Sequence, residues 1–341
     1  MAETPTTLPS PTDPDAGTAG GRSRMTAATG DFAHRNRGIL VAYGLVVTLF
    51  VVGTIHSLGY ASPTNIRSLL VYGSTIGIAA FGQSLCILTG GIDLSIPWTM
   101  TGAAVITAKL TGSGHSLVLV LLVIAVLAVL VGLVNGVTVA YASVPPIIMT
   151  LGTNGALQGL VLVYTNGGGS ATAPAGLQRW LGSDLLSFLP KQVLIWLVII
   201  VAATLILTRG TLGKRLYAVG TNANAAFLAG NNIRRTLVLP YVISALSGAL
   251  AGILLMGFSG GAYFTLGDPY LFATAAAVAV GGASILGGTG HYLGTVAGAL
   301  TLTLIVSLLT LLNVGQAWLN IAYGFILLFA LVIATPRARR A

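Results

Sequence analysis

The strongest chemical signal in the sequence is Asp93, which lies in the segment 90–97 (GGIDLSIP) between two apolar runs that could each cross a bilayer. A charged group in hydrocarbon costs at least about 2–3 kcal/mol, so an ionisable residue there is by default a candidate functional residue. The glycines and the proline interrupt the helix, and broken backbone at membrane depth is tolerated only inside protein or beside a water-filled cavity. The segment therefore predicts a polar pathway bordered by Gly90, Gly91, Asp93 and Ser95.

A purely structural role for the same side chains stays open. Asp93 or Ser95 could accept the free backbone N–H groups at the start of a helix, and Pro97 suits the first helical turn. Capping is the commoner use of such side chains. The two roles are compatible, because a capped half-helix aimed at a cavity serves both.

The composition is that of an integral membrane protein. The 341 residues are 55% hydrophobic and 7% charged, whereas soluble domains carry about 25% charged residues. The net charge of +9 does not indicate nucleic-acid binding, since the charges flank apolar runs and form no basic stripe. The single Cys86 cannot form an intrachain disulfide, and neither metal-ligand spacing nor a phosphate-binding loop is found.

The hydrophobic pattern predicts an all-α polytopic protein of about ten transmembrane helices, each needing about 20 apolar residues. Glycines break helices near 90–97 and 281–290. Residues 66–110 could instead form one span and a re-entrant piece. The predicted spans are 38–56, 66–88, 95–110, 117–141, 147–164, 190–208, 237–257, 271–287, 293–312 and 316–334.

The charge distribution predicts how the chain is oriented. Residues 1–37 have the composition of a disordered tail, residues 38–336 form the membrane domain, and residues 337–341 are a basic C-terminus. With ten spans, twelve of the 16 Lys and Arg residues fall on the side of both termini and the loop 209–236. Because positive residues favour the cytoplasmic side, we expect these three segments in the cytoplasm.

A second glycine-rich interruption, at 280–290, matches the first in composition and predicts Gly281 and Gly282 as pathway residues. Paired interruptions in the two halves of a membrane protein often mark the transport site. Thr150, in the proline-led segment 145–153, is a further candidate for the pathway. Its hydroxyl could equally bond its own helix backbone, as threonine usually does in membranes.

The loop 213–233 predicts a short helix with a cap at each end. Thr221 or Asn222 suits its start and Gly230 its end. The helix could dock on a partner or be a plain surface connector, and the residues alone do not decide. The docking candidates are Gly220, Asn222, Ala225, Ala226 and Gly230, with Phe227 and Leu228 also available for contact.

The segments 90–95, 146–153, 213–230 and 280–290 resemble the permease subunit of bacterial ABC sugar importers of the ribose, xylose and arabinose type. The resemblance runs from about residue 65 to residue 336. It implies a multi-pass protein of the bacterial inner membrane, together with a second permease subunit, identical or paralogous, two cytoplasmic ATPase subunits and a periplasmic sugar-binding protein. The loop 213–233 would then be the coupling element that sits on the ATPase.

The sequence thus predicts the translocation subunit of an ATP-driven importer for a monosaccharide or similar polyol, itself neither an enzyme nor cofactor-dependent. The alternative is an ion-coupled secondary transporter, but such carriers embed several ionisable groups, and Asp93 stands nearly alone. A membrane-embedded enzyme comes third, because the sequence has no acid–base or metal constellation. Pentose, hexose, inositol and autoinducer-like cargo all stay open.

Overall fold

The computed structural model describes residues 37–183 and 189–334. Nearly all of the predicted tail (1–37) and the whole basic C-terminus (337–341) lie outside the described residues. Two short strands and one 3₁₀ helix, Leu58–Ala61, accompany the α-helices. The α-helices are α1 (Arg37–His56), α2 (Pro63–Leu88), α3 (Ile96–Gly112), α4 (Leu117–Tyr141), α5 (Pro146–Tyr164), α6 (Ala175–Gly182), α7 (Lys191–Thr208), α8 (Thr211–Thr221), α9 (Ala223–Leu228), α10 (Ile233–Ser259), α11 (Tyr270–Val280), α12 (Tyr292–Leu311) and α13 (Gln316–Ala334).

The all-α membrane architecture predicted from the sequence is confirmed. In the described part of the chain seven helices are long and apolar enough to cross a bilayer, namely α1 from Gly38 onwards, α2, α4, α5, α7, α10 and α12. The predicted number of ten is not confirmed. Of the remaining three candidates, α3 has 17 residues, α11 has 11, and the apolar part of α13 is Ala317–Leu328.

The eighth predicted span, 271–287, is shorter than expected. Helix α11 ends at Val280, and turns occupy the chain from Gly281 until α12 begins. Gly282 adopts a φ of 84°, which a glycine reaches without the strain that a side chain would cause. At 1.5 Å per residue α11 is about 16 Å long, roughly half the thickness of the hydrocarbon core.

Helix α10 lies at the centre of the bundle, packed along α2, α3 and α4, while α12 packs against α1, α2 and α11. Small residues at these crossings let the backbones approach closely, as is usual in membranes. Four of the five Gly-x-x-x-Gly pairs in the spans face a neighbouring helix, and Gly155/Gly159 on α5 has nothing within 4 Å. The four packed pairs are Gly73/Gly77, Gly132/Gly136, Gly248/Gly252 and Gly294/Gly298.

A small antiparallel sheet identifies which helix ends lie together. Strand β1 (Ser170–Thr172) pairs with β2 (Gly261–Tyr263). Because β1 follows α5 and β2 follows α10, the C-terminal ends of these two helices lie at the same end of the bundle. The segment of α8 and α9 precedes α10 and therefore lies at the opposite end.

Candidate functional site

The break between α2 and α3 is organised by the side chain of Asp93, which is 1% exposed. Its Oδ1 accepts hydrogen bonds from the backbone N–H of Ser95 at 2.9 Å and from the Ser95 hydroxyl at 2.6 Å. The backbone N–H of Asp93 donates to Gln83 Oε1 at 3.2 Å. Ser95, whose side chain makes no cap bond, occupies the position before α3. Asp93 therefore shapes the turn that leads into α3 rather than capping its first turn.

A chain of hydrogen bonds connects this carboxylate to two further helices. Asn135 of α4 donates through Nδ2 to the Ser95 hydroxyl at 2.9 Å. The Thr153 hydroxyl of α5 donates to Asn135 Oδ1 at 2.6 Å. Hydrogen bonds in a low-dielectric interior strengthen one another. The break is therefore held to α4 and α5 through polar side chains.

Thr150 of α5 holds the extended backbone of the same break. Its hydroxyl oxygen accepts a 3.0 Å hydrogen bond from the N–H of Leu94. Its single proton lies within reach of two carbonyl oxygens, that of Ile92 at 3.2 Å and that of Pro146 at 2.9 Å. The Thr150 hydroxyl thus contacts both the backbone of its own helix and the backbone of the break.

The second carboxylate oxygen of Asp93 lies beside polar groups that are not fully paired. Asp93 Oδ2 and Gln83 Nε2 are buried and have no hydrogen-bond partner among the described residues. Ser244 of α10 lies beside the carboxyl group without a hydrogen bond of ordinary geometry. Leaving a buried polar group unpaired costs about 1–3 kcal/mol. This part of the break is therefore polar, and the described residues leave some of its hydrogen-bonding groups unpaired.

Three separate sequence motifs meet at the end of α2. The carbonyl oxygen of Leu88 accepts a 2.9 Å hydrogen bond from the N–H of Gly288, in the second glycine-rich turn. A Cβ atom placed on Gly220, at the end of α8, would overlap the same carbonyl oxygen. A Cβ atom on Gly287 would lie 2.9 Å from the backbone nitrogen of Gly90. The first break, the second break and the end of α8 are thus in direct contact.

Tyr217 makes a further connection between α8 and the second glycine-rich turn. Its hydroxyl donates a 2.6 Å hydrogen bond to the carbonyl oxygen of Gly290. Burial raises the pKa of the Tyr217 phenol above its ordinary value, so it remains a neutral donor near pH 7. The predicted residues Gly281 and Gly282 line the same small cavity as Tyr217 and Gly290, but their closest packing is with other helices. A Cβ atom on either would meet Gly294 of α12 or Gly38 of α1, respectively.

The short helix α9 has the caps that the sequence predicts. Asn222 Oδ1 accepts the N–H of Ala225 at 3.0 Å, and Gly230 has a φ of 81°. Ala226 was expected to be available for contact, but its side chain is only 4% exposed because it faces the body of the protein. Phe227 and Leu228, in contrast, are 67% and 85% exposed. They, with the exposed Ala225, form the outward face of α9.

Sequence reasoning missed two members of the hydrogen-bonded cluster, Asn135 and Gln83. Asn135 had a usable signal, since it is the only amide side chain in the apolar run 117–141. Buried side-chain amides need partners, so an amide in such a run indicates a polar neighbour on another helix. Gln83 lies in a similar apolar stretch of α2. Nothing in the sequence indicated that α10 would bring Ser244 to the same place.

Comparison with known proteins relates nearly the whole membrane part of the chain to transport permeases. The family described as the permease component of branched-chain amino acid transport systems matches residues 65–335. The ribose import permease of Bacillus subtilis is 33% identical over 302 residues, covering 87% of this chain and 93% of that protein. The ribose import permease of Escherichia coli K12 is 32% identical over 292 residues, covering 85% and 91%.

A third relative has a different name. The autoinducer 2 import system permease of Escherichia coli K12 is 32% identical over 303 residues, covering 88% of this chain and 87% of that protein. No solved structure matches the chain.

Proposed function

Because this chain belongs to the ABC importer permeases that include the ribose import permeases, we propose that its cargo is a monosaccharide, with ribose the first candidate. The protein is a multi-pass membrane protein and the translocation subunit of such an importer. The choice of cargo rests on one observation, the similarity of this chain to permeases named for ribose, which extends over most of this chain and of each relative. Autoinducer 2, named for a similarly related permease, is the second cargo to test.

The proposed assembly contains two permease subunits, identical or paralogous, two ATPase subunits that hydrolyse ATP, and a separate sugar-binding protein. The coupling element is the segment 213–233. Phe227 and Leu228 support this proposal, because two large apolar side chains on one exposed short helix suit a contact with another protein. Gly220 supports it as well, since its contact with Leu88 gives movement of α8 a direct route to the break.

The proposed orientation places both termini and the segment 213–233 in the cytoplasm, following the charge distribution. Strands β1 and β2 then lie on the external side. The proposed domain limits are the tail 1–37, the membrane domain 38–336 and the C-terminus 337–341. The proposed pathway residues are Gly90, Gly91, Asp93, Ser95 and Thr150, with Gly281 and Gly282 as packing positions of the second break.

Variants of α9 test the proposed coupling element. In the Phe227→Asp variant a carboxylate replaces the exposed aromatic ring of α9, and we expect the ATPase subunit no longer to co-purify with the permease. The matched control is Trp180→Asp on α6, where the ring is 46% exposed at the opposite end of the bundle. Co-purification of the ATPase is measured for the wild-type permease and both variants, at equal levels of the permease in the membrane. Wild-type recovery of the ATPase with Phe227→Asp would show α9 to be a surface connector.

A further inference from the structure

A cavity lies far from the Asp93 break, at the end of the bundle opposite α9. Its volume is about 770 Å³, and α2, α10, α11, α12 and α13 contribute to its walls together with the 3₁₀ helix. None of the residues that form the Asp93 network lines it. Small-molecule sites typically occupy about 300–1,000 Å³ and combine a mostly apolar wall with a few polar groups. The cavity therefore has the size of a ligand site.

Five aromatic rings that carry hydroxyl groups contribute to the wall of this cavity. The phenol of Tyr270 is close enough to those of three other tyrosines, at positions 72, 263 and 323, to interact with them electrostatically. Four separate elements supply these rings, so the tertiary fold rather than one helix face creates the cluster. The lining tyrosines are Tyr60, Tyr72, Tyr263, Tyr270 and Tyr323.

The polar groups of the wall are not all paired within the protein. Tyr60 is 4% exposed, and its hydroxyl is buried without a hydrogen-bond partner among the described residues. Ser307 adds a further hydroxyl to the lining, and Asn65 adds an amide whose Nδ2 donates to the carbonyl oxygen of Tyr60 at 2.7 Å. Burying polar groups without partners is unfavourable, so a ligand that brings its own donors and acceptors would be favoured here.

These properties distinguish between two kinds of occupant. A lipid acyl chain would fill the volume but offer no hydrogen-bond partner to the hydroxyl groups of the wall. A monosaccharide presents C–H groups on its ring faces, which pack on aromatic rings, and hydroxyl groups at its edges. Tyrosine provides both an apolar face and a polar tip. The wall is therefore complementary to a polyhydroxylated ring.

We propose that this cavity is a second ligand site, which binds a polyhydroxylated ring of monosaccharide size within a single permease subunit. The choice of a sugar as the probe rests on the proposed function. The site lies at the end of the bundle that is farther from the Asp93 break, so it holds cargo before the break admits it. Its occupancy does not require the binding protein.

Equilibrium binding of radiolabelled D-ribose to the permease in lipid nanodiscs, without binding protein, tests the site. The Ser307→Phe variant places a ring inside the cavity, and we expect at least a tenfold loss of affinity. The Tyr270→Phe variant removes one hydroxyl and should weaken binding by about two- to tenfold, the effect of one hydrogen bond. The control is Ser113→Phe, at an exposed position outside the cavity lining, which should bind ribose like the wild type.

Equal ribose affinity in the Ser307→Phe and Ser113→Phe variants would overturn the proposed site. So would a wild-type protein that binds no ribose although the assembled importer takes it up with ATP, a result that leaves the proposed function intact. Native mass spectrometry that finds a phospholipid released by Ser307→Phe, with no ribose binding, would assign the cavity to lipid. Conversely, variant-sensitive ribose binding without ribose uptake would support the site and contradict the proposed function.

Discussion

The carbonyl oxygen of Leu88, the last residue of α2, accepts a 2.9 Å hydrogen bond from the backbone N–H of Gly288. Residue 288 lies in the second glycine-rich turn, 200 positions further along the chain. The bond joins the two interruptions that the sequence had matched only by composition. The close approach of Gly220 to the same carbonyl oxygen adds the end of α8, so that the proposed coupling element and both breaks share one contact.

Replacing Gly220 by alanine should separate these three segments. The added methyl group would overlap the Leu88 carbonyl oxygen, and overpacking of this kind typically costs about 1–3 kcal/mol. We expect a lower thermal unfolding temperature in detergent and reduced uptake by the assembled importer. Gly176→Ala on α6 is the control, because a Cβ atom there meets nothing within 4 Å. Identical melting and uptake for the two variants would argue against a tight contact at Gly220.

Asp93 variants separate the hydrogen-bonding role of the carboxylate from its charge. The side-chain amide of the Asp93→Asn variant can keep an oxygen at the Oδ1 position, which accepts both bonds from Ser95. Asp93→Ala removes this acceptor and leaves the donors of Ser95 unpaired, at about 1–3 kcal/mol. We therefore expect Asp93→Ala to reduce uptake strongly and Asp93→Asn to reduce it less, at matched membrane levels. Equal loss in both variants would mean that the charge itself is required.

Thr150→Val tests whether polar contacts hold the break to α5. Valine keeps the shape of the side chain but loses the hydroxyl that accepts the N–H of Leu94. We expect lower thermal stability, by up to about 1–3 kcal/mol because the partly buried N–H of Leu94 loses its partner, together with reduced uptake. Thr204→Val on α7 is the matched control, since the Thr204 hydroxyl is buried without a partner among the described residues. Thr150→Val should lower stability and uptake more than Thr204→Val does. Equal effects of the two substitutions would show that the Thr150 hydroxyl does not hold the break to α5.

Single-cysteine labelling tests the proposed orientation. The native Cys86 is buried and is replaced by alanine to give a background without thiols. Ser113→Cys and Leu228→Cys then place one thiol at each end of the bundle, both at exposed positions. In spheroplasts a membrane-impermeant maleimide should label position 113 and leave position 228 unlabelled until the membrane is permeabilised. The opposite pattern would show that the orientation is inverted. Labelling of both positions from outside would contradict the three crossings, α4, α5 and α7, that lie between them.

The sequence was sufficient for features that depend on local chemistry. Hydropathy predicted the membrane class, and the glycines predicted where helices break. The caps of α9 followed from Asn222 and Gly230, because each capping contact joins residues only three to five positions apart. The end of α11 was placed seven residues too late, since apolar residues continue past Val280 although Gly281 and Gly282 end the helix.

Features that depend on tertiary packing were beyond the sequence. The sequence predicts Ala226 as a docking residue because it is small and lies on a short capped helix. Only the packing of α9 against the protein shows that its side chain points inward. The pairing of Asn135 with Ser95 joins residues 40 positions apart, which no local pattern specifies. The tyrosine-lined cavity is the clearest example, because its five rings come from five separate stretches of the chain.

Reconstitution into proteoliposomes tests the central claim most directly. The permease is purified together with the proposed ATPase and binding-protein partners, and uptake of radiolabelled D-ribose is measured with and without ATP. We predict ribose uptake that requires ATP, the ATPase subunit and the binding protein, and that a proton or sodium gradient does not replace. Ribose uptake by the permease without the ATPase, driven by an ion gradient, would contradict the assignment as an ABC importer subunit.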